Sequence, residues 1–156
     1  MTVFSDANWG NSPDNGESMS SHIVFLPNAP VIFKVGLQGL TAQSNMEAEL
    51  VAAALAMKEA VFCSNMMKEL GSGTRFDSVP LYIDNTSALH VAGNRTYSSR
   101  VNHVALRYLF IQELVMEGRI TVKYVKREDQ LADIDTKHLS KQRQRYLLKL
   151  ISEFRA

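Results

Sequence analysis

Leu81-Tyr82-Ile83-Asp84-Asn85-Thr86-Ser87 is the stretch from which the fold is read. Val79, Leu81 and Ile83 alternate with Pro80 and Tyr82, the period-two pattern of a short buried strand. The run then breaks into Asp-Asn-Thr-Ser, side chains that accept hydrogen bonds from the free N–H groups of a helix start. An acid at the carboxyl end of a buried strand also sits where open α/β sheets present ligands. Either Asp84 or Asn85 merely caps the next helix, or Asp84 is a site residue. The choice depends on whether other carboxylates converge on it.

Upstream, Val3-Phe4-Ser5-Asp6 reads as a first strand ending at or near Asp6, followed by an Asn-, Gly- and Pro-rich loop from Ala7 to Glu17. Ser18 to Leu26 and Val31 to Leu37 are β-rich runs joined by Pro27-Asn28-Ala29-Pro30, which predicts an antiparallel hairpin. Ser44 to Leu70 is the longest helix candidate. Ser44 and Glu47 have capping-box spacing, strong helix formers follow, and Gly71-Ser72-Gly73 closes it. Downstream of Asp84 a short helix runs from Thr86 to about Ala92, then a loop, then a helix over Val101 to Glu117 stopped by Gly118. Ile120, Val122, Tyr124 and Val125 form a further strand. The last helical region covers Glu128 to Thr136 and Ser140 to Phe154. The order β-β-β-α-β-α-α-β-α predicts an α/β chain. It has a mixed five-stranded sheet, three strands antiparallel and two reached by helical crossovers, with helices on both faces.

The 156 residues fit one domain, with 46% hydrophobic and 21% charged residues as in ordinary globular proteins. Seventeen basic and 16 acidic side chains leave a formal charge of +1, which argues against a strongly electrostatic nucleic-acid binder but leaves room for a local basic patch. The single Cys63 excludes an internal disulfide and any multi-cysteine metal site; among apolar helix residues it reads as core, in an intracellular protein. No run approaches the ~18–20 uninterrupted apolar residues of a membrane span, and the first residues lack the regions of a signal peptide. Met1 running straight into a strand is the expectation for a domain cut from a longer chain.

Candidate partners for Asp84 are the acids at element ends. Asp6 closes the first strand or opens the loop. Glu47 and Glu49 both lie at the start of the long helix, but residues two apart point about 200° away from each other. Glu47 is engaged in the cap, whereas Glu49 shares a stripe with Ala52, Ala53, Ala56 and Ala60, a row that lets a helix lie close to a sheet. Glu49 is therefore preferred. In Glu128-Asp129-Gln130-Leu131-Ala132-Asp133-Ile134-Asp135, Leu131 and Ile134 mark the buried side and Asp133 lies between them; Asp129 and Asp135 read as solvent-facing. Acids without cysteine point to hard, oxygen-liganded cations such as Mg²⁺. Two such ions ~4 Å apart would activate a water and stabilise the leaving oxygen of a phosphodiester. Four converging carboxylates repel one another unless cations lie among them, so a purely structural cluster is hard to explain.

With these residues placed, the chain resembles the ribonuclease H domain of copia-type LTR retrotransposon polyproteins. The resemblance rests on Ser5-Asp6-Ala7-Asn8-Trp9, on Lys34 through Leu50 with Met46-Glu47-Ala48-Glu49-Leu50, and on Tyr82-Ile83-Asp84-Asn85-Thr86-Ser87-Ala88. Arg107-Tyr108, Tyr124-Val125 and Gln130-Leu131-Ala132-Asp133-Ile134-Asp135-Thr136-Lys137 complete it, so it spans nearly the whole chain. Met46, Leu50 and Asp135 depart from the residues usual in the family at those positions.

The resemblance implies a ribonuclease H fold, two Mg²⁺ or Mn²⁺ ions, and endonucleolytic cleavage of the RNA strand of an RNA–DNA hybrid, leaving 3′-hydroxyl and 5′-phosphate ends. It puts the catalytic and metal-binding acids on Asp6, Glu49, Asp84 and Asp133. Asn8, Asn45 and Asn85, each close to an acid, are candidates for contacts with 2′-hydroxyls. Arg95, Arg100, His103 and the cluster Lys137, Lys141, Arg143, Arg145 are candidates for phosphate contacts, the cluster being equally a solvated helix face. His103 and His138 read first as structural, with proton transfer or product release as the other reading. Trp9 reads as core. The implied setting is intracellular, in the cytoplasm or virus-like particles, with a reverse transcriptase domain in the same polyprotein, no membrane, and a monomer when isolated. The competing reading is a catalytically weak hybrid-binding remnant that leans on a neighbouring polymerase. A transposase or integrase core would share the sheet and acids but would take its last acid from a Glu on a long helix.

Overall fold

The computed structural model describes residues 1–10, 12, 16–27, 29–71, 73, 76–93 and 105–154. Three strands open the chain as an antiparallel meander: β1 (Thr2–Asn8), β2 (Met19–Leu26) and β3 (Ala29–Leu37). Two more, β4 (Val79–Ile83) and β5 (Ile120–Tyr124), add to the other side of β1 in parallel, giving the order β3-β2-β1-β4-β5. Antiparallel neighbours need only a tight turn, whereas parallel neighbours require a crossover. The crossover from β3 to β4 is α1 (Asn45–Glu69), and α2 (Thr86–Gly93) and α3 (Ala105–Met116) lie between β4 and β5. After β5 come a 3-10 turn (Arg127–Asp129), the four-residue α4 (Asp133–Thr136) and α5 (Lys141–Glu153). The predicted mixed sheet is borne out, with three refinements.

First, β1 continues to Asn8, because Ala7 and Asn8 pair with Ser20 and Met19 of β2. Asp6 therefore lies inside the strand rather than at its end. Second, β3 begins at Ala29 and takes in Pro30, opposite Phe25 where the register slips. Proline is tolerated there because β3 is an edge strand. Third, the last helical region is three pieces, and the middle one, α4, carries Asp133.

Helices cover both faces of the sheet. On one, Val3, Val24, Leu81 and Ile83 meet Leu50, Ala53 and Met57 of α1, with Ala88, Tyr108 and Ile111 from α2 and α3 in the same cluster. On the other, Phe4, Ile23 and Phe25 pack with Leu131, Leu147 and Ile151. The alanine row behaves as expected, since Ala52, Ala53, Ala56 and Ala60 are all buried. Burial is not confined to that stripe, because every residue from Glu47 to Ala54 is inside. α1 is enclosed between the sheet and the α2–α3 pair. That enclosure accounts for its being, among the described residues, the one helix long and apolar enough to cross a membrane by length and composition.

Its start departs from a reciprocal capping box. Ser44 Oγ accepts the Glu47 N–H at 3.2 Å, but Glu47 Oε2 accepts the N–H of Gln43 at 2.8 Å rather than that of Ser44. Cys63 is in the core, as expected. Trp9 is not: its ring is half-exposed in the turn after β1, where its indole N–H donates to the Ala42 carbonyl at 2.8 Å.

Candidate active site

The central strand carries Asp6 into the molecule as a fully buried carboxylate. The end of β4, beside β1 in parallel register, presents Asp84 as a half-buried one. Asp133 arrives from the opposite end of the sequence on the first turn of α4, where a carboxylate meets favourable N–H dipoles, and is also buried. One carboxylate oxygen from each of Asp6, Asp84 and Asp133 lies within 4.8 Å of the others. Glu49, 2% exposed, comes from the first turns of α1 and feels the charges of Asp6 and Asp84. The structure thus brings together the acids preferred from the sequence, three of them tightly.

Burial dominates the electrostatics. It pushes Asp6 up to about 6 even though the Lys137 ammonium and a hydrogen bond from Thr136 pull the other way. Glu49 is raised well above the ordinary carboxylate range by burial first, then by the charges of Asp6 and Asp84. A backbone hydrogen bond from Ala7 offsets part of this, but Glu49 Oε2 has no hydrogen-bond partner. Burial also raises Asp84; Lys137 and Arg127 counter it while Asp133 adds to it.

Several side chains hold the cluster in place. Thr136 donates its hydroxyl hydrogen to Asp6 Oδ2, and the Asn8 amide donates to the Thr136 carbonyl at 2.8 Å, tying β1 to α4. The buried Gln130 amide donates to the Ser5 carbonyl at 2.9 Å and its oxygen accepts from Ala132 N–H at 3.4 Å. The Arg143 guanidinium donates to the carbonyls of Glu128 and Arg127, the latter at 2.7 Å, and stands 3.8 Å from Asp133 Oδ2. Lys137, four residues after Asp133, puts its ammonium between two acids: it donates to Asp6 Oδ1 at 3.0 Å and to Asp133 Oδ1. Burial opposes its charge, but the two carboxylates hold it above the usual lysine value.

The residues singled out as nucleic-acid contacts fare differently. Lys137, expected at a phosphate, is instead paired inside the acid cluster, because the turn from Asp133 to Lys137 brings its stem over Asp6. Asn8 is engaged with Thr136, and Asn85 Oδ1 accepts the Ala88 N–H at 3.0 Å as the cap of α2. Asn45 is exposed at the start of α1, Lys141 and Arg145 are exposed on α5, and Arg143 is occupied by backbone carbonyls. Arg95, Arg100 and His103 lie outside the described residues. Asp135, read as solvent-facing, is half-buried, and burial raises its carboxyl. A cleft of about 530 Å³ opens beside Asp133, lined by Arg127, Lys137, His138 and Arg143 among others. The sequence assigns no role to Thr136, Gln130 or Arg127, and the pairing of Lys137 with Asp133, four residues earlier, shows only in the structure.

The donor set suits a divalent cation. The clustered donors of Asp6, Asp84 and Asp133 are carboxylate oxygens alone, and Glu49, outside that group of three, adds a buried oxygen with no partner.

A central strand and its parallel neighbour delivering two aspartates, with a third from the closing helices and a glutamate from the first crossover helix, define a ribonuclease H fold. Solved structures agree. The N-terminal RNase H domain of rv2228c from Mycobacterium tuberculosis, solved as a fusion with maltose-binding protein, superimposes with a TM-score of 0.60, 14% identity and 95% of each chain covered. LC11-RNase H1 in complex with an RNA/DNA hybrid matches with a TM-score of 0.54, 10% identity, 83% of this chain and 87% of that one. The protease-reverse transcriptase of prototype foamy virus matches 98% of this chain with 20% of its own, at a TM-score of 0.50 and 14% identity.

No family model matches the chain. Sequence relatives do: the retrovirus-related Pol polyprotein from transposon RE2 of Arabidopsis thaliana is 34% identical over 141 residues, 90% of this chain and 10% of that protein. The corresponding polyprotein from transposon TNT 1-94 of Nicotiana tabacum is 28% identical over 134 residues, again 10% of its length. The chain is a ribonuclease H-fold segment homologous to these plant transposon Pol polyproteins, and it spans about one tenth of their length. The resemblance to copia-type elements drawn from the residues is borne out.

Proposed function

We propose that the chain is a metal-dependent endonuclease that hydrolyses the RNA strand of RNA–DNA hybrids during reverse transcription of a copia-type element. The observation that carries this reading is the convergence of Asp6, Asp84 and Asp133 within 4.8 Å, backed by the buried, partly unpartnered Glu49. Lys137 offsets only part of the charge repulsion and desolvation among these acids, and a purely structural role does not repay the rest.

Asp6 and Asp84, on adjacent parallel strands, would be the central ligands, with Glu49 and Asp133 completing the set from either side. Bound there, two Mg²⁺ or Mn²⁺ ions would supply Lewis acidity at the scissile phosphate and acidify the attacking water. The chain itself keeps the ligands rigid: Thr136 fixes the rotamer of Asp6, Gln130 ties the segment before Asp133 to β1, and Arg143 braces Asp133 from outside. Arg127 and His138, in the cleft beside Asp133, would meet phosphates of the strand entering the site. Hydrolysis adds water across one P–O bond, leaving a 3′-hydroxyl and a 5′-phosphate.

The working context would be a Pol polyprotein in the cytoplasm, alongside a reverse transcriptase segment. The near-neutral charge favours a second reading, a hybrid-binding module that needs such a neighbour for turnover. The test is a labelled hybrid incubated with the chain and Mg²⁺ or Mn²⁺, with single-stranded RNA and DNA duplex as controls. Internal cuts in the RNA of the hybrid, lost in Asp84→Asn, are the expected result. Hybrid bound but intact in both metals would favour the second reading, and a hybrid neither bound nor cut would sink both.

A further inference from the structure

We propose that Lys137 is a built-in counter-cation of the acid cluster, displaced when a divalent ion enters; the proposal rests on the metal-site reading above. The ammonium donates to Oδ1 of Asp6 at 3.0 Å and to Oδ1 of Asp133. These carboxylates, with Asp84, have oxygens within 4.8 Å of one another. A lone pair engaged by an ammonium is not free to ligate a metal, and an ammonium and a dication repel each other at such range. The two therefore compete for the same oxygens.

The neighbouring Arg143 cannot play this part. Arg143 is tied to the carbonyls of Glu128 and Arg127 and reaches Asp133 only at 3.8 Å. Lys137 differs in being movable. It is the C-terminal cap of α4, in extended backbone (φ −129, ψ 146), at the border of the cleft that also holds Arg127, His138 and Arg143. Rotation about its side-chain bonds carries the ammonium from the acids into that cleft without moving the backbone. The fold thereby neutralises its own cluster before metal arrives and makes each metal-binding event a cation exchange.

The test compares native chain, Lys137→Met and Lys137→Arg, all stripped of metal. Mn²⁺ affinity is read by calorimetry, and thermal melting is followed in EDTA and in saturating Mn²⁺. Displacement predicts that Lys137→Met binds Mn²⁺ about tenfold tighter than native. It should also melt lower in EDTA, with the deficit closing when Mn²⁺ is added. Lys137→Arg, which keeps the charge, should stay nearer the native affinity. Unchanged or weaker Mn²⁺ binding by Lys137→Met, or the same loss of melting temperature with and without Mn²⁺, overturns displacement while leaving the metal site intact. No Mn²⁺ binding by any of the three overturns the metal reading and displacement together. A measurement on the native chain is independent of how the variants fold: a protected Lys137 ammonium resonance in the metal-free protein should vanish on adding Mg²⁺. Its persistence at saturating Mg²⁺ overturns the proposal.

Discussion

The hydroxyl of Thr136 is hydrogen-bonded to the carboxylate of Asp6, joining the closing helices to the central strand across 130 positions of sequence. Bonds to charged groups contribute about 1.5–3 kcal/mol. This one also fixes the direction in which the other oxygen of Asp6 points. Thr136→Val, which keeps the shape and removes the donor, should destabilise the chain by about 2 kcal/mol in denaturant melts. It should also lower hybrid cleavage more than hybrid binding, because it disturbs the ligand and not the groove. A variant as stable and active as native would show that the bond has no positioning role.

Asp6 gives the chain a definite pH signature. Its ordinary value is 3.8 and burial raises it to about 6 in the fold. The protonated form is thus the one the fold favours. The stability this confers is fully present below about pH 4 and is lost as pH rises through about 6. Asp6→Asn is neutral at every pH, so in EDTA its stability should rise relative to native as pH increases. The gap should grow by on the order of 3 kcal/mol between pH 4 and pH 7.5. Urea melts of both proteins across that range measure it. A gap that stays constant with pH contradicts the account.

Glu49 should show a conflict between stability and function. Its carboxylate is buried, one oxygen lacks a partner, and the charges of Asp6 and Asp84 press on it. Its raised value means that the penalty is absent in acid, below the ordinary 4.5, and grows as pH rises from there toward the folded value. Glu49→Gln should therefore raise stability at pH 8 in EDTA, by about 1–2 kcal/mol. The same change should cut Mg²⁺-dependent cleavage about a hundredfold or more. Melts and single-turnover assays on one preparation test both halves, and a variant that is less stable yet fully active would refute them.

The fold was legible wherever burial has a simple period. Val79, Leu81 and Ile83 alternate, and the alanine row on α1 announced a helix lying close to the sheet, with Glu49 near enough to feel the charge of Asp6. What stayed hidden depends on partners distant in sequence. The extension of β1 beyond Asp6 is set by pairing with Ser20 and Met19, not by its own residues. Trp9 looks like core by composition, but the turn after β1 leaves its ring half in solvent with only the indole N–H anchored. Asn8 looks like a free amide until its bond to the Thr136 carbonyl is seen, whereas Asn85 caps α2 as the helix-start pattern allowed. Lys137 is the instructive case. A lysine near acids in a nucleic-acid enzyme reads as a phosphate contact, and only the three-dimensional turn of α4 shows it seated on the carboxylates.

Whether Asp6, Glu49, Asp84 and Asp133 form the proposed cation site is decided by a crystal of the chain soaked in Mn²⁺ and measured at the manganese absorption edge. The account predicts anomalous peaks among these four carboxylates, with the Lys137 ammonium moved away from Asp6 and Asp133. A cluster with no manganese peak at saturating Mn²⁺, and Lys137 still seated between Asp6 and Asp133, would contradict it.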